Sequence, residues 1–240
     1  MKKTFYIELV LYSVSLTIVV SLFSAIGVMT NASEDGMILY QIMAFLLMGS
    51  IFTIYMKKSD PSLEKFGFAI KKVDYRICLI MGVIVLVQPL ILEINFSIPV
   101  PTIMLLIVQM VLVGYTEETL FRAIYFDKLK TRNPMVYIIF SSIIFGILHS
   151  AIAINPEATT ILVVLQITNA LLLGIVFSTI YYLTRNIYLL IATHALFNIL
   201  ASITLASSVE ANIFSVLVLS AVYTIAIIIL YVQRNNLKNC

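Results

Sequence analysis

The feature that most constrains this sequence is a succession of apolar stretches, each close to the roughly 20 residues that a helix needs to cross a bilayer. Eight follow one another, at residues 5–29, 37–56, 77–94, 102–126, 135–154, 159–183, 187–205 and 213–232. The third is the weakest, because it is short and contains Pro89 and Glu93 near its end. Backbone groups that face lipid must form hydrogen bonds within their own segment, so each stretch is predicted to be a helix.

Composition agrees with lipid as the solvent for much of the surface. The chain is 61% apolar and only 11% charged, whereas a soluble domain contains about 25% charged residues. One globular core cannot enclose that apolar excess. The sequence therefore predicts an all-α fold, a polytopic bundle of about eight transmembrane helices that forms a single domain over residues 1–240.

The basic residues test this count, because they occupy only alternate connections. All 15 Lys and Arg lie at Lys2 and Lys3, in residues 57–76, in residues 122–132, at Arg185, and at Arg234 and Lys238. The other connections carry only acids, namely Glu34, Asp35, Glu93, Glu157 and Glu210. Since Lys and Arg collect on the cytoplasmic side, both termini are predicted to be cytoplasmic. We expect a multi-pass protein of the bacterial plasma membrane.

The net charge of +3 then reflects orientation in the lipid bilayer, and no nucleic-acid partner is expected. Residues 57–76 allow two interpretations. They form either a short amphipathic segment that rests against anionic headgroups or a solvated loop.

Costly polar side chains concentrate in the fourth to seventh stretches. They are Gln109, Glu117, Glu118, Arg122, His149, Gln166, Asn169, His194 and Asn198. Ionisable groups within a membrane span usually face the bundle interior or a water-filled cavity. The sequence therefore places the functional core at about residues 102–205.

Two adjacent carboxylates stand in the fourth stretch. Glu118 and Arg122 are four residues apart and can pair on one helix face, while Glu117 points about 100° away. One carboxylate is then neutralised locally and the other is free. The alternative is a helix-end ion pair with Glu117 reaching the membrane surface.

The chain has two histidines, and both lie within predicted spans. His194 and Asn198 are four residues apart and share a helix face. A single histidine in a bundle is more often structural than catalytic. Two histidines, with an unpaired Glu117 and an asparagine, favour a functional site.

In their order on successive helices, three motifs resemble the CPBP family, the CAAX proteases and bacteriocin-processing enzymes also called Abi. The motifs are Glu117-Glu118-x-x-x-Arg122, Phe145-x-x-x-His149 and His194-x-x-x-Asn198. The resemblance covers roughly residues 109–201, including the small-residue stretch 170–174 and the turn at 184–186. The chain departs from the family at Ala123, where glycine is frequent, and in having no Trp.

The resemblance implies an intramembrane endopeptidase that cleaves a membrane-associated or lipidated peptide or protein, such as a CAAX, bacteriocin or pheromone precursor. Glu117 would activate water and His149 would orient it, while His194 and Asn198 would polarise the scissile carbonyl. Glu118 and Arg122 would support the site. These groups are expected to meet at one cavity that opens to the cytoplasm.

Metal dependence stays open at this stage. Glu117, His149 and His194 could hold Zn²⁺ with one open position, but H-E-x-x-H is absent and Cys78 and Cys240 are too few for a cysteine site. Chemistry without a tightly bound metal is slightly favoured. Two other functions compete: a non-proteolytic scaffold or bacteriocin-immunity protein of the same fold, and a proton-coupled transporter.

Overall fold

The computed structural model describes residues 4–154, 158–205 and 208–238, and this part of the chain is helical apart from its connections. The helices are α1 (Thr4–Met29), α2 (Glu34–Ser59), α3 (Tyr75–Ile91), α4 (Val100–Glu118), α5 (Tyr125–Leu129), α6 (Pro134–Leu148), α7 (Thr160–Thr184), α8 (Ile187–Ser202) and α9 (Val209–Lys238). The predicted all-α, polytopic fold is confirmed. Glu157, one of the acidic residues used for the orientation, lies outside the described residues.

Six of the eight apolar stretches form helices long enough to cross a membrane. The fourth is an unbroken helical run of 30 residues, Val100–Leu129. The other two, α3 and α8, have 17 and 16 residues, which corresponds to about 24 to 26 Å at 1.5 Å per residue. They are shorter than the roughly 30 Å hydrocarbon core, so they cross only part of such a core.

Polar side chains begin several helices by accepting a hydrogen bond from the first helical turn. Ser33 accepts from Gly36 N, Asp74 from Arg76 N, and Asn133 from Met135 N. Each lies in a connection between apolar stretches. These caps explain why the helices begin at the edges of the stretches.

The connections gather at two ends of the bundle. At the basic end, Lys65 Nζ lies 3.0 Å from Asp127 Oδ2, and Asn186 donates to the Lys71 carbonyl oxygen at 3.2 Å. At the acidic end, Thr102 donates to Asp35 at 2.9 Å, and the connection after α3 pairs with the connection after α8 through Ile94 and Thr204. The alternation in charge along the sequence thus becomes a difference between the two ends.

The connection between α2 and α3 at the basic end is a loop, and all of its residues are described. It contains one 3₁₀ turn, Glu64–Phe66, in which Phe66 is fully buried. An amphipathic helix is therefore absent from this connection.

Helix α4 lies at the centre, between α2 and α8, while α6 packs along α7. Glycines allow two close approaches between helices. A Cβ on Gly114 would lie 3.0 Å from the Ile191 carbonyl oxygen of α8, and one on Gly146 would lie 3.0 Å from the Leu171 Cβ of α7. Small residues let helix backbones approach in a membrane, and here they bring α4 and α8 together beside the polar residues.

Candidate active site

The adjacent carboxylates lie where the geometry of the fourth helical run changes. Helix α4 ends at Glu118, and a π-helical turn, Thr119–Ile124, leads into α5. All six residues of this turn are buried. Such turns occur often at functional sites, and this one places Glu117 and Glu118 in the last turn of α4.

Glu118 and Arg122 form the ion pair that their spacing predicts. Arg122 Nε lies 2.9 Å from Glu118 Oε2, and neither side chain is exposed. Arg122 also donates to Ser141 Oγ at 3.2 Å, and its guanidinium lies 4.8 Å from the centre of the Phe145 ring. The arginine is therefore held by α6 as well as by its own helix.

His194 lies between the two carboxylates. Its Nδ1 is 2.8 Å from Glu118 Oε1, and its Nε2 is 3.7 Å from Glu117 Oε2. The Glu118 carboxylate is already the partner of Arg122 and accepts here too, so the proton of this hydrogen bond belongs to Nδ1 of His194. This contact joins residues 76 positions apart, and no short-range spacing in the sequence indicates it.

The turn between α7 and α8 determines where His194 lies. Arg185 ends α7 in the left-handed conformation, at φ 51°, and its guanidinium stacks 3.1 Å from the centre of the Phe126 ring. Asn186 then accepts a hydrogen bond from Leu189 N and begins α8. His194 follows two turns later, on the side of α8 that meets Gly114.

His149 comes from the opposite side of the site, at the start of the 3₁₀ segment His149–Ile154 that follows α6. Its Nδ1 lies 2.8 Å from the Phe145 carbonyl oxygen. A carbonyl oxygen can only accept, so Nδ1 donates, and in the neutral ring Nε2 remains the acceptor. The ring also packs against Phe145, with 4.5 Å between the ring centres.

The four predicted catalytic residues line one cavity of about 180 Å³, namely Glu117, His149, His194 and Asn198. Among the described residues, His149 and Glu117 form no ion pair with each other, and both line this cavity. Three of the four, Glu117, His149 and Asn198, also line an adjoining cavity of about 570 Å³. The structure thus brings the four together around a space, and their catalytic roles stay predictions.

The larger cavity extends toward the acidic end of the bundle. Its wall includes Gln41 near the start of α2, and Ile152 and Ser202 where their helical segments end. On the other side of Glu117, residues 119–126 are each at most 7% exposed and close the way toward the basic end. The sequence led us to expect an opening toward the basic, cytoplasmic end. The sequence does not reveal that the buried π-helical turn Thr119–Ile124 occupies that side.

The metal candidates do not form a binding group. Over the part of the chain that the structure describes, no three side chains of His, Cys, Asp or Glu are arranged to hold a metal ion. Glu117, His149 and His194 therefore do not fit as the three ligands of a zinc ion in this arrangement, and we assign chemistry to the side chains alone.

The fold and the site define an integral membrane protein with a buried centre of carboxylates and histidines. Comparison with known families adds a more specific statement. Residues 99–200 match the family model described as Rce1-like, type II CAAX prenyl endopeptidase. This segment contains Glu117, His149, His194 and Asn198, and the match confirms the family predicted from the sequence. At the family level, the match points to a peptidase. No curated protein and no solved structure matches the chain.

Proposed function

We propose that this protein is an intramembrane endopeptidase that hydrolyses a peptide bond in a membrane-associated or lipidated peptide or protein. The observation that carries the proposal is the meeting of Glu117, His149, His194 and Asn198 at one cavity inside the bundle. Together they supply a base, a group to orient water and donors for a developing oxyanion. The match to a family of endopeptidases supports the same reaction class.

Glu117 is the general base of this mechanism. Hydrolysis joins the water oxygen to the carbonyl carbon and breaks the C–N bond, and the leaving nitrogen takes up a proton. Glu117 removes the proton from water and returns it to that nitrogen. His149, whose Nδ1–H is held by the Phe145 carbonyl oxygen, orients the water through Nε2.

His194 and Asn198 stabilise the oxyanion. Asn198 donates through its side-chain amide, and His194 donates through Nε2 when its ring carries both protons. In that state Glu117, Glu118, Arg122 and His194 contribute two negative and two positive charges. A group of buried charges that sums to zero avoids an uncompensated charge in a low-dielectric interior.

The competing functions account less well for this arrangement. A scaffold needs no cavity lined by Glu117 and His149, and direct contacts or apolar packing would fill it. A proton-coupled transporter needs a second path toward the basic end, where residues 119–126 are buried.

Quantitative peptidomics tests the proposal because it requires no chosen substrate. Membranes from cells that produce the unmodified protein are compared with membranes from cells that produce the Glu117→Gln variant at equal level. We expect at least one membrane-derived peptide to appear only with the unmodified protein. Identical peptide profiles for the two, with a prenylated CAAX reporter peptide also left uncut by the unmodified protein, would contradict the proposal.

A further inference from the structure

Three amide side chains beside the site have no role in the mechanism above. Gln88 comes from α3, and Gln166 and Asn169 come from α7. All three line the 180 Å³ cavity that holds the four predicted catalytic residues. All three also line a second cavity of about 160 Å³ between α7 and α9. They therefore form the boundary that the two cavities share.

The amides of Gln88 and Gln166 lack protein partners. Within residues 4–154, 158–205 and 208–238, neither side chain makes a hydrogen bond with the protein, whereas Asn169 Oδ1 accepts one from the Tyr223 hydroxyl at 2.9 Å. Both side chains are partly exposed, so water can satisfy their amide groups. A water molecule, which occupies about 30 Å³ in the liquid, needs polar partners and room, and both cavities offer these.

The second cavity continues toward the acidic end. Its wall includes Asn212 and Ser215, in the first two turns of α9, and Ile152 near the end of its 3₁₀ segment. Ser215 is 2% exposed, and its Oγ has no hydrogen-bond partner among the described residues. Polar side chains thus run from the start of α9 to the amides and on to Glu117.

The larger cavity has a different character. Its wall on α1 and α2 includes the apolar side chains of Leu16, Val20 and Phe45. It adjoins Glu117 and His149 and is about three times the size of either small cavity, as 570 Å³ compares with 180 and 160 Å³. A peptide that carries an apolar segment fits this wall, and once bound it covers that approach to Glu117. Gln166 lines all three cavities and so stands at their junction.

We propose that the path lined by Gln88, Gln166, Asn169 and Ser215 delivers the hydrolytic water from the acidic end to Glu117, separately from the substrate. This inference rests on the proposed endopeptidase function. Gln88 and Gln166 act as positioning residues, because they hold water that reaches the base and need not touch the scissile bond.

Thiol labelling tests whether water reaches the path, and its result does not depend on which reaction the protein catalyses. In a Cys78→Ser/Cys240→Ser background, Ser215→Cys is compared with Ser178→Cys, using 2-aminoethyl methanethiosulfonate on the folded protein in detergent. The two serines match in burial, since Ser178 is 0% and Ser215 2% exposed. Ser178 does not line any of the three cavities. We expect the thiol at position 215 to react at least tenfold faster, and equal rates would overturn the proposal.

Steady-state kinetics then tests whether the path supplies the water that is used in hydrolysis. With a prenylated CAAX reporter peptide as the substrate, Gln88→Leu and Gln166→Leu should each lower kcat about tenfold. Gln88 does not line the larger cavity, so Gln88→Leu should leave KM unchanged. Gln88→Asn should retain most of kcat, whereas Val20→Phe, in the larger cavity, should raise KM instead. Unchanged kcat in both leucine variants would overturn the proposal that this path delivers the hydrolytic water. If the unmodified protein cleaves neither the reporter nor any peptide found in the peptidomic comparison, the endopeptidase proposal fails by itself, and the labelling result remains a measurement of water access.

Discussion

Nδ1 of His194 lies 2.8 Å from Oε1 of Glu118, and this hydrogen bond joins the middle of α8 to the end of α4. The other oxygen of the same carboxylate lies 2.9 Å from Nε of Arg122. Glu118 therefore holds two side chains, one on its own helical run and one on another helix. Its position fixes the His194 ring, which in turn presents Nε2 to Glu117.

Paired substitutions at Glu118 and Arg122 separate stability from positioning. Arg122→Met leaves the Glu118 carboxylate without its cation, which should lower the free energy of unfolding by about 3–5 kcal/mol. The double variant Glu118→Leu/Arg122→Met removes both charges and should recover part of that loss, because apolar replacement of a buried pair is often neutral. The recovery is incomplete because His194 is left without its acceptor. Thermal unfolding in detergent measures this effect.

Cleavage by the same double variant should remain lost, since His194 no longer has its acceptor. A double variant that is active would show that Glu118 positions nothing. A double variant that is as unstable as Arg122→Met would show that the unpaired Glu118 carboxylate is not the cause of the lost stability.

Glu117→Gln should lower turnover by about 10²–10⁴-fold, the usual contribution of a general base. The amide keeps the shape of the side chain but cannot take up a proton, so the melting temperature should stay close to that of the unmodified protein. Glu210→Gln, at an exposed position on α9, is the matched control and should change neither quantity. Near-normal cleavage by a folded Glu117→Gln variant would show that another group is the base.

The two histidines should differ in what their removal costs. His194→Ala takes a hydrogen bond from the buried Glu118 carboxylate and should lower the free energy of unfolding by about 1.5–3 kcal/mol. His149 is partly exposed and bonds a carbonyl oxygen of its own helix, so His149→Ala should cost about 1 kcal/mol or less. Both variants should lose cleavage. Equal destabilisation, by chemical or thermal unfolding, would contradict the distinction.

Gly114→Ala should disturb the contact between α4 and α8. The added Cβ would lie 3.0 Å from the Ile191 carbonyl oxygen and 3.3 Å from Ala195 N, and backbone atoms cannot move away as a side chain can. The helices must separate, which we expect to cost about 1–3 kcal/mol and to lower turnover by displacing His194. Gly82→Ala on α3 is the control, because nothing lies within 4 Å of its Cβ. It should be neutral or stabilise by up to about 1 kcal/mol.

The orientation inferred from charge can be measured by cysteine accessibility in intact cells, in a Cys78→Ser/Cys240→Ser background. Ser59→Cys and Asn235→Cys should be protected from an impermeant reagent, and Ser33→Cys should be labelled, because basic connections remain in the cytoplasm. The opposite pattern would reverse the topology. That pattern would also mean that the large cavity extends toward the cytoplasmic side of the membrane.

Much of the architecture follows from the sequence. The long apolar stretches are sufficient to predict the helices, because lipid leaves the backbone no other way to satisfy its hydrogen bonds. The pairing of Glu118 with Arg122 follows from helical periodicity. The scarcity of polar residues in the spans also identifies Glu117, His149, His194 and Asn198, because each is expensive in lipid unless it faces the interior.

Only the tertiary structure decided how these residues are arranged and where their cavity leads. The contact between Glu118 and His194 depends on the close approach of α4 and α8 at Gly114, and the extension of the cavity toward the acidic end depends on the buried π-helical turn Thr119–Ile124. Helical periodicity specifies which side chains share a face of one helix, since it acts over a few residues. It does not specify which face of another helix will meet them, because that depends on how all the helices pack at once.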